Sequence, residues 1–341
     1  MKAAVLYGKE DVRIEQVTER PLAAGEVRVR IEAALTCGTD LKVYKRGYHA
    51  RMIVPPSVFG HELAGVIQEI GPGVDGWHEG DRVVVANSAP CDACCFCRNR
   101  QENLCDDLQF LNGAYAESIV VPARLARKNM IRLREATAFK DAALTEPLAC
   151  VVQGVEDTGL TGRENVLVLG AGPIGLMFVA VARHLGCRVT VSGRGENRLR
   201  TAARLGAARV LDAAAGTGSD LERERPGWDV VIEAVGKPET WESAVRLVRK
   251  GGKVNLFGGC PSGTAVSLDT ARVHYSALTL LASFHHTPRT IRRALALIED
   301  GVIRAADFVG GECPLKDLPG LFRSMTTGNR VVKTLIRVHE A

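Results

Sequence analysis

The sequence lacks a long uninterrupted hydrophobic segment of the kind that crosses a membrane. Its longest apolar stretch, VLVLGAGPIGLMFVAVA at 166–182, contains three glycines and a proline. This pattern indicates a strand, a turn and a buried helix instead. The opening segment MKAAVLYGKE turns polar at Gly8-Lys9-Glu10, too early for the apolar core of a secretory signal peptide. We therefore expect a cytoplasmic protein with no membrane partner.

The sequence also lacks a concentration of charge of one sign. The 44 Lys and Arg residues and 39 Asp and Glu residues give a net charge of +5. The nearest approach to a basic run, at 289–293, is short and interrupted. A nucleic-acid surface needs a basic patch or stripe, so we expect no nucleic-acid partner. Internal repeats and low-complexity tracts are also missing from the sequence, and 341 residues predict about two domains.

The character of the sequence changes near residue 150. Before it, short β-rich segments such as EVRVRIEAAL and LAGVIQEIG alternate with glycine turns, which predicts a compact, mostly antiparallel barrel or sandwich. After it, strands alternate with helical segments, which predicts βαβ units and a parallel sheet. A final strand, RVVKTLIRV, could return to the first sheet. We therefore predict an inserted α/β domain at 152–289 and a β-rich domain at 1–151 and 290–341.

A glycine-rich motif for binding a dinucleotide begins the α/β half. Gly170, Gly172 and Gly175, with Pro173 and Ile174, form a G-x-G-x-x-G pattern after an apolar strand and before a helix. In that context the glycines permit a tight turn and close approach of backbone N–H groups to a pyrophosphate at the helix N-terminus. The alternative is an ordinary turn between a strand and a helix.

The next strand indicates which dinucleotide is bound. NAD-selecting proteins carry an acid about 20 residues beyond the glycine loop. Here Ser192 is followed by Gly193 and Arg194, with Arg198 close behind. A missing carboxylate removes repulsion against a 2′-phosphate and the arginines supply positive charge, so NADP is favoured over NAD. The alternative is that Glu196 serves as the acid and the arginines are solvent-exposed.

Half of the ten cysteines lie within residues 91–105. Four of them have the spacing C-x2-C-x2-C-x7-C, which suits a tetrahedral zinc ion with no open position and hence a structural role. The fifth, Cys95, does not fit that spacing and is a bystander. A disulfide knot is the alternative, and it would leave an odd cysteine in a reducing compartment. The proposed ligands are Cys91, Cys94, Cys97 and Cys105.

Other residues with metal-binding side chains are scattered. Cys37 lies in TCGTD, His61 and Glu62 in FGHELAG, and Glu146 in LTEPLAC. A catalytic zinc needs three protein ligands and an open fourth position, but spacing alone does not join these residues. Each taken singly is more typical of a structural side chain.

In chain order, these features together resemble the zinc-dependent medium-chain dehydrogenase/reductase family, which includes the alcohol dehydrogenases. CGTDLKVY and TEPLACVVQGVE are similar to the polyol (sorbitol) and threonine dehydrogenase branch. The resemblance covers essentially the whole chain. It implies an α/β architecture in which a GroES-like catalytic domain is interrupted by a Rossmann domain, and a homo-oligomer, either a dimer or a tetramer. Members of this branch commonly carry the NAD-selecting acid that Gly193 replaces, so their cofactor preference is not transferred.

The resemblance also implies roles for single residues. Cys37 and His61 would bind the catalytic zinc. Glu62 would be a third ligand or would hold a water at the metal, and Glu146 would lie at the metal, ligating directly or through water. Thr39 would contact the substrate oxygen and begin a proton relay.

Two further features of the catalytic part are weaker predictions. His49 is a candidate for continuing the relay, with a surface or loop histidine as the alternative. The segment at 45–57 would line the entrance to the site, and it matches no substrate signature.

The predicted function is zinc-dependent hydride transfer between NAD(P) and a small alcohol or carbonyl compound, with a polyol, sugar alcohol or other secondary alcohol as substrate. One catalytic and one structural zinc are expected in each chain. A zinc-free quinone or enone reductase of the same superfamily is one alternative. A non-enzymatic NADP-binding protein on this fold is the other.

Overall fold

The computed structural model describes residues 1–49, 51–216, 221, 223, 226–328 and 331–339. Ala50, within the segment expected to line the site entrance, lies outside these ranges. Every helix in the described ranges is too short or too polar to cross a bilayer. The chain divides into two compact units, the first formed by residues 1–149 and 286–341 and the second by residues 150–285.

The first unit is built on a seven-stranded, mostly antiparallel sheet. The strands of this unit are β1 (Lys2–Gly8), β2 (Asp11–Gln16), β3 (Val27–Leu35), β4 (Ser57–Val58), β5 (Glu62–Ile70), β6 (Arg82–Val85), β7 (Ser88–Ala89), β8 (Gln109–Phe110), β9 (Ser118–Val121), β10 (Met130–Arg132), β17 (Val309–Pro314) and β18 (Lys333–Arg337). The seven-stranded sheet has the order β10-β6-β5-β3-β18-β17, with β9 also pairing with β3. A three-stranded sheet has the order β2-β1-β4, and β7 pairs with β8.

Short helices and turns surround these strands. The helices are α1 (Gly38–Arg46), α2 (Cys95–Arg98), α3 (Ala123–Asn129), α4 (Phe139–Ala142), α10 (Pro288–Glu299), α11 (Ala305–Phe308) and α12 (Leu318–Thr326), with 3₁₀ turns at Glu102–Leu104 and Leu315–Asp317. One apolar core unites the unit, and its aromatic centre is formed by Tyr44, Phe59, Tyr115 and Phe322. Helix α5 (Thr145–Thr158) contains the point where the chain passes into the second unit.

The second unit is a six-stranded parallel sheet of order β13-β12-β11-β14-β15-β16. The order reverses direction at β11, where a doubly wound sheet places its ligand crevice. The strands are β11 (Asn165–Leu169), β12 (Arg188–Gly193), β13 (Arg209–Asp212), β14 (Trp228–Glu233), β15 (Val248–Leu256) and β16 (Thr279–Leu281). The helices are α6 (Pro173–Leu185), α7 (Glu196–Arg204), α8 (Pro238–Leu247) and α9 (Thr270–Tyr275).

The predicted fold class is confirmed in both units. The apolar stretch at 166–182 is β11, a turn and α6, as its interruptions indicated. Pro173 occupies the first turn of α6, where a missing N–H costs nothing, and Gly186 ends the helix in the left-handed conformation. The last strand, β18, pairs antiparallel with β3, so the C-terminal segment does return to the first sheet.

Candidate functional site

Three of the scattered residues meet in the first unit. Cys37 caps the N-terminus of α1, and its Sγ accepts a hydrogen bond from the backbone N–H of Thr39 at 3.3 Å. His61 and Glu62 lie where β5 begins. The potential ligand atoms of Cys37, His61 and Glu62 all lie within 4.8 Å of one another. The structure thus brings together a thiol, an imidazole and a carboxylate, the donor types that bind zinc in proteins.

A buried carboxylate and a buried phenol hold His61 in place. Asp40 Oδ1 lies 2.8 Å from His61 Nδ1, and Tyr115 donates its hydroxyl to Asp40 Oδ2 at 2.5 Å. Burial alone would lower the pKa of His61, but the negative charges of Asp40 and Cys37 raise it well above its usual value. These negative surroundings favour a bound positive charge, and because Asp40 engages Nδ1, His61 Nε2 is the ring nitrogen left to face a metal.

Glu62 is engaged by a lysine from the last strand. Lys333 Nζ lies 2.6 Å from Oε1 and 2.5 Å from Oε2 of Glu62, and it also donates to the carbonyl of Thr36 at 3.0 Å. Both charged side chains are at most 1% exposed. Burial raises the pKa of Glu62, and the positive charge of Lys333 opposes that rise. Lys333 therefore holds the Glu62 carboxylate by both of its oxygens.

Glu146, at the start of α5, has different partners. Its Oε1 lies 3.9 Å from His286 Nε2. Burial raises the pKa of Glu146, while the charges of His61 and Lys333 and the hydrogen bond from Asn87 lower it. The side chain is 7% exposed. Glu146 is thus close enough to the His61 and Lys333 charges to be influenced by both.

The two residues predicted for a proton relay are also placed. Thr39 lies in the first turn of α1, half-buried beside Cys37. His49 accepts hydrogen bonds at Nδ1 from the backbone N–H groups of Arg51 and Met52, at 3.2 and 3.1 Å. Burial lowers the pKa of His49, and the positive charge of His61 lowers it further. His49 Nε2 is therefore the ring atom left for proton exchange.

The four spaced cysteines form a separate cluster. Cys94 Sγ lies 3.5 Å from Cys97 Sγ, and Cys91 Sγ lies 4.0 Å from Cys97 Sγ. The four Sγ atoms, including that of Cys105, all lie within 4.8 Å of one another. A tetrahedron of Zn–S bonds of about 2.3 Å has edges of about 3.8 Å, so these separations fit a zinc ion. Cys95 is exposed and outside the cluster, and all ten cysteines are free thiols.

Backbone N–H groups prepare the cluster for negative charge. Those of Ala93 and Cys94 lie 3.4 Å from Cys91 Sγ and lower the pKa of that thiol. Those of Cys97 and Asp106 lower the pKa of Cys94 to about 6. Burial raises the pKa of Cys97 and Cys105. Four thiolates this close repel one another, so full ionisation of the set requires a bound cation.

In the second unit, the glycine motif connects β11 to α6. Gly170 has a φ of 113°, which a side chain rarely adopts. A Cβ at Gly175 would lie 1.9 Å from the carbonyl oxygen of Gly170, so only glycine permits this packing. Around Gly172, which caps α6, a Cβ would meet nothing within 4 Å. The helix N-terminus is therefore open beside a tight glycine turn, the arrangement that receives a pyrophosphate.

The end of β12 packs against that turn. Ser192 accepts a hydrogen bond at its carbonyl from Gly170 N–H at 2.7 Å. A Cβ at Gly193 would lie 2.4 Å from the Cβ of Ala171, which excludes any side chain, an acid included. Glu196, the alternative acid, pairs with Arg200 at 2.8 Å one turn along α7.

The two arginines predicted to select NADP follow β12. Arg194 is exposed and lies between β12 and α7, and Arg198 is half-buried in the first turn of α7.

Several residues of the first unit's site were missed from the sequence. Asp40 stands in the CGTD motif, three residues from Cys37, which is a signal that could have been used. Tyr115, Asn87, His286 and Lys333 had no signal, because each reaches the site from a distant part of the chain.

Both halves of the chain match domains of known protein families. Residues 23–130 match the alcohol dehydrogenase GroES-like domain, and residues 173–300 match a domain described as zinc-binding dehydrogenase.

Named relatives and solved structures cover almost all of the chain. D-altritol 5-dehydrogenase of Agrobacterium fabrum is 34% identical, over 88% of this chain and 89% of its own. Sorbitol dehydrogenase of Bacillus subtilis is 27% identical, over 98% and 97%. A protein of Sinorhizobium meliloti 1021 assigned as a zinc-binding dehydrogenase and solved bound to NADP superposes with a TM-score of 0.91, at 29% identity and 98% coverage of both chains. Alcohol dehydrogenase of Thermus sp. ATN1 superposes with a TM-score of 0.88, at 29% identity, over 99% of this chain and 100% of its own.

Proposed function

The chain belongs to the zinc-dependent medium-chain dehydrogenase/reductase family, in its polyol and threonine dehydrogenase branch, and from that premise we propose that it oxidises a polyol, sugar alcohol or other secondary alcohol, with NADP preferred over NAD. Membership confirms the predicted family, the GroES-like and Rossmann fold class and the prediction of a dehydrogenase. The substrate class, the cofactor preference and the role of each residue are our proposal.

One observation carries the proposal: Cys37, His61 and Glu62 lie together in a buried site of the first unit. A zinc-free reductase would not need this set, and a binding protein without activity would not need the Asp40 contact that orients His61. The donor set and the negative surroundings fit zinc. When bound, zinc supplies a Lewis acid that lowers the pKa of a substrate hydroxyl.

Cys37 and His61 are the proposed protein ligands of the catalytic metal, with one of the two acids at a third position. Lys333 occupies both oxygens of Glu62, at 2.6 and 2.5 Å. We therefore propose that Lys333 holds the Glu62 carboxylate beside Cys37 and His61, and that Glu146 lies at the metal, ligating directly or through water.

Thr39 is the proposed first proton acceptor. Its backbone N–H lies 3.3 Å from Cys37 Sγ, so the residue stands next to a proposed metal ligand in the first turn of α1. Thr39 Oγ1 takes the proton of the substrate hydroxyl while passing its own proton outward, and His49 Nε2 is the candidate to receive it. In the reverse direction the same groups return the proton to the alcohol oxygen.

The second unit, residues 150–285, is the proposed nucleotide-binding domain, and the first unit, residues 1–149 and 286–341, is the proposed catalytic domain. The predicted bounds, 152–289 for the former and 1–151 with 290–341 for the latter, differ from these by a few residues at each boundary. The open N-terminus of α6 and the turn at Gly170 would hold the pyrophosphate. Arg194 and Arg198 would bind the 2′-phosphate, since Gly193 leaves no room for a carboxylate. The nicotinamide accepts the hydride when bound. A homo-oligomer and a cytoplasmic location also stay predictions.

Initial rates with a panel of polyols, sugar alcohols and secondary alcohols, each with NAD and NADP, test the proposal directly. We expect oxidation of at least one alcohol class, faster with NADP, by a chain that retains zinc through dialysis. A zinc-loaded chain that oxidises none of the panel would contradict the substrate proposal. A strong preference for NAD would contradict the cofactor proposal alone.

Replacing Arg194 with alanine tests the cofactor contact. We expect KM for NADP to rise about tenfold, because a charge-assisted hydrogen bond contributes about 1.5–3 kcal/mol. KM for NAD should change little, because NAD has no 2′-phosphate. Arg204→Ala, at the other end of α7, is the matched control. An equal change in KM for both cofactors, measured by initial rates, would count against the assignment.

Replacing Cys97 with alanine tests the structural zinc. We expect one zinc ion fewer per chain by atomic emission, and faster proteolysis within residues 91–105, because three remaining thiols hold the metal poorly. The activity should fall much less than the metal content, since this cluster is closed to substrate. Cys95→Ala should change neither, and an unchanged zinc content in Cys97→Ala would show that the cluster does not bind the metal.

A further inference from the structure

A buried chain of three polar side chains runs through the first unit from Glu146 to Asn87 to His286. His286 Nε2 lies 2.9 Å from Asn87 Oδ1 and 3.9 Å from Glu146 Oε1. Hydrogen bonding from Asn87 lowers the pKa of Glu146, against the rise that burial causes. Asn87 and His286 are each 2% exposed and Glu146 is 7% exposed. An arrangement of this kind, shielded from water, has few alternative hydrogen-bond partners.

The chemistry of the three groups fixes the direction of each hydrogen bond. An ionised carboxylate only accepts, so Asn87 must present its Nδ2 donor to Glu146. Its Oδ1 acceptor then faces His286, which must donate from Nε2. The opposite orientation of the amide would place its oxygen against the carboxylate, with two acceptors facing each other. His286 therefore determines the orientation of the Asn87 amide, and that orientation determines whether Glu146 accepts a hydrogen bond from Asn87 Nδ2.

Both supporting residues are anchored by the backbone around them. Asn87 lies between β6 and β7, and its carbonyl accepts from the backbone N–H of Leu111 at 2.8 Å. His286 lies just before α10, whose first turn is fixed by reciprocal hydrogen bonds between Thr287 and Thr290. A site is held most accurately when its supporting side chains stand on such rigid elements.

We propose that Asn87, oriented by His286, is a positioning residue that fixes the Glu146 carboxylate toward the metal and the substrate hydroxyl. Neither residue touches the reacting atoms in this assignment. The inference rests on the proposed function, because it needs Glu146 to act at the metal. Residues that orient metal-site ligands in this way typically contribute about 10–100-fold in metal affinity or activity.

The test compares three variants of the full chain: Asn87→Leu, His286→Leu and His286→Gln. Zinc release to a chromophoric chelator is followed in time, and the phase that is missing in Cys37→Ala identifies the catalytic metal. We expect Asn87→Leu and His286→Leu to release that zinc about tenfold faster or more, and to lose about tenfold in kcat/KM. His286→Gln should stay near wild type, because its amide N–H can donate from about the position of Nε2.

Asn129→Leu is the matched control. Asn129 is fully buried in the same unit, and its side-chain amide donates to the carbonyl of Ser88 at 2.6 Å. It should lose stability toward denaturant while keeping the zinc-release rate and kcat/KM. The inference is overturned if Asn87→Leu matches wild type in both readouts, if His286→Gln is as damaged as His286→Leu, or if Asn129→Leu shows the same losses. Wild type that holds zinc but oxidises no alcohol would contradict the proposed function, and zinc release would still test the positioning role.

Discussion

Replacing Cys37 with alanine is expected to lower kcat/KM for alcohol oxidation by about 10³-fold or more, equivalent to about 4 kcal/mol. The thiol is the proposed metal ligand from α1, and its potential ligand atom lies within 4.8 Å of those of His61 and Glu62. Its loss leaves the catalytic metal without a ligand that the alanine methyl group cannot replace. Initial rates together with atomic emission should show the loss of activity and of one zinc ion per chain.

Cys95→Ala is the matched control for this prediction. Cys95 is exposed. Its thiol belongs neither to the group of Cys37, His61 and Glu62 nor to the four-cysteine cluster. The control should keep the zinc content and the activity of wild type. Retention of more than about a tenth of wild-type kcat/KM by Cys37→Ala would show that Cys37 is not a catalytic-metal ligand.

Replacing Lys333 with methionine is expected to cost about 3–5 kcal/mol of stability, because it leaves the charge of Glu62 buried and uncompensated. Lys333 is 1% exposed and Glu62 is fully buried. Methionine has similar length and keeps the apolar contacts of the lysine stem. Denaturant unfolding, followed by fluorescence and by circular dichroism, measures the loss.

Two comparisons separate the buried charge from other effects. The double variant Lys333→Met/Glu62→Gln should recover much of the loss, because it removes the unpaired charge. Arg13→Met breaks the exposed pair with Asp11, whose atoms lie 2.7 Å apart. That change should cost at most about 1 kcal/mol, as is usual for surface pairs. A Lys333→Met variant as stable as Arg13→Met would refute the assigned role of the buried pair.

Local patterns explain why much of the fold was predictable. The glycines of the turn at Gly170 lie within six residues, and the steric demands that select them act inside that turn. The cysteine loop is similar, since four thiols within fifteen residues reach one another after a short fold of the chain. Alternation of strands and helices predicted the parallel sheet, because hydrophobic periodicity is a local property.

The two candidate acids of the metal site could not be ranked by such local patterns. Glu62 and Glu146 were equally plausible at the metal from the sequence. In the structure Lys333 contacts both carboxylate oxygens of Glu62, from which it is separated by 271 positions in the chain. No periodicity or spacing rule spans that distance, because the two residues meet only when β18 returns to pair with β3.

The family, the α/β class, the glycine turn and the cysteine cluster could all be predicted from the residues alone. Each of these depends on residues that are close in the chain or that occur in a fixed order. Which side chains surround the scattered ligands became clear from the folded chain. Asp40 and Tyr115 orient His61, and Asn87 and His286, 199 positions apart, meet beside Glu146. The physical reason is that burial leaves a polar group only the partners that folding brings to it, whatever their separation in the sequence.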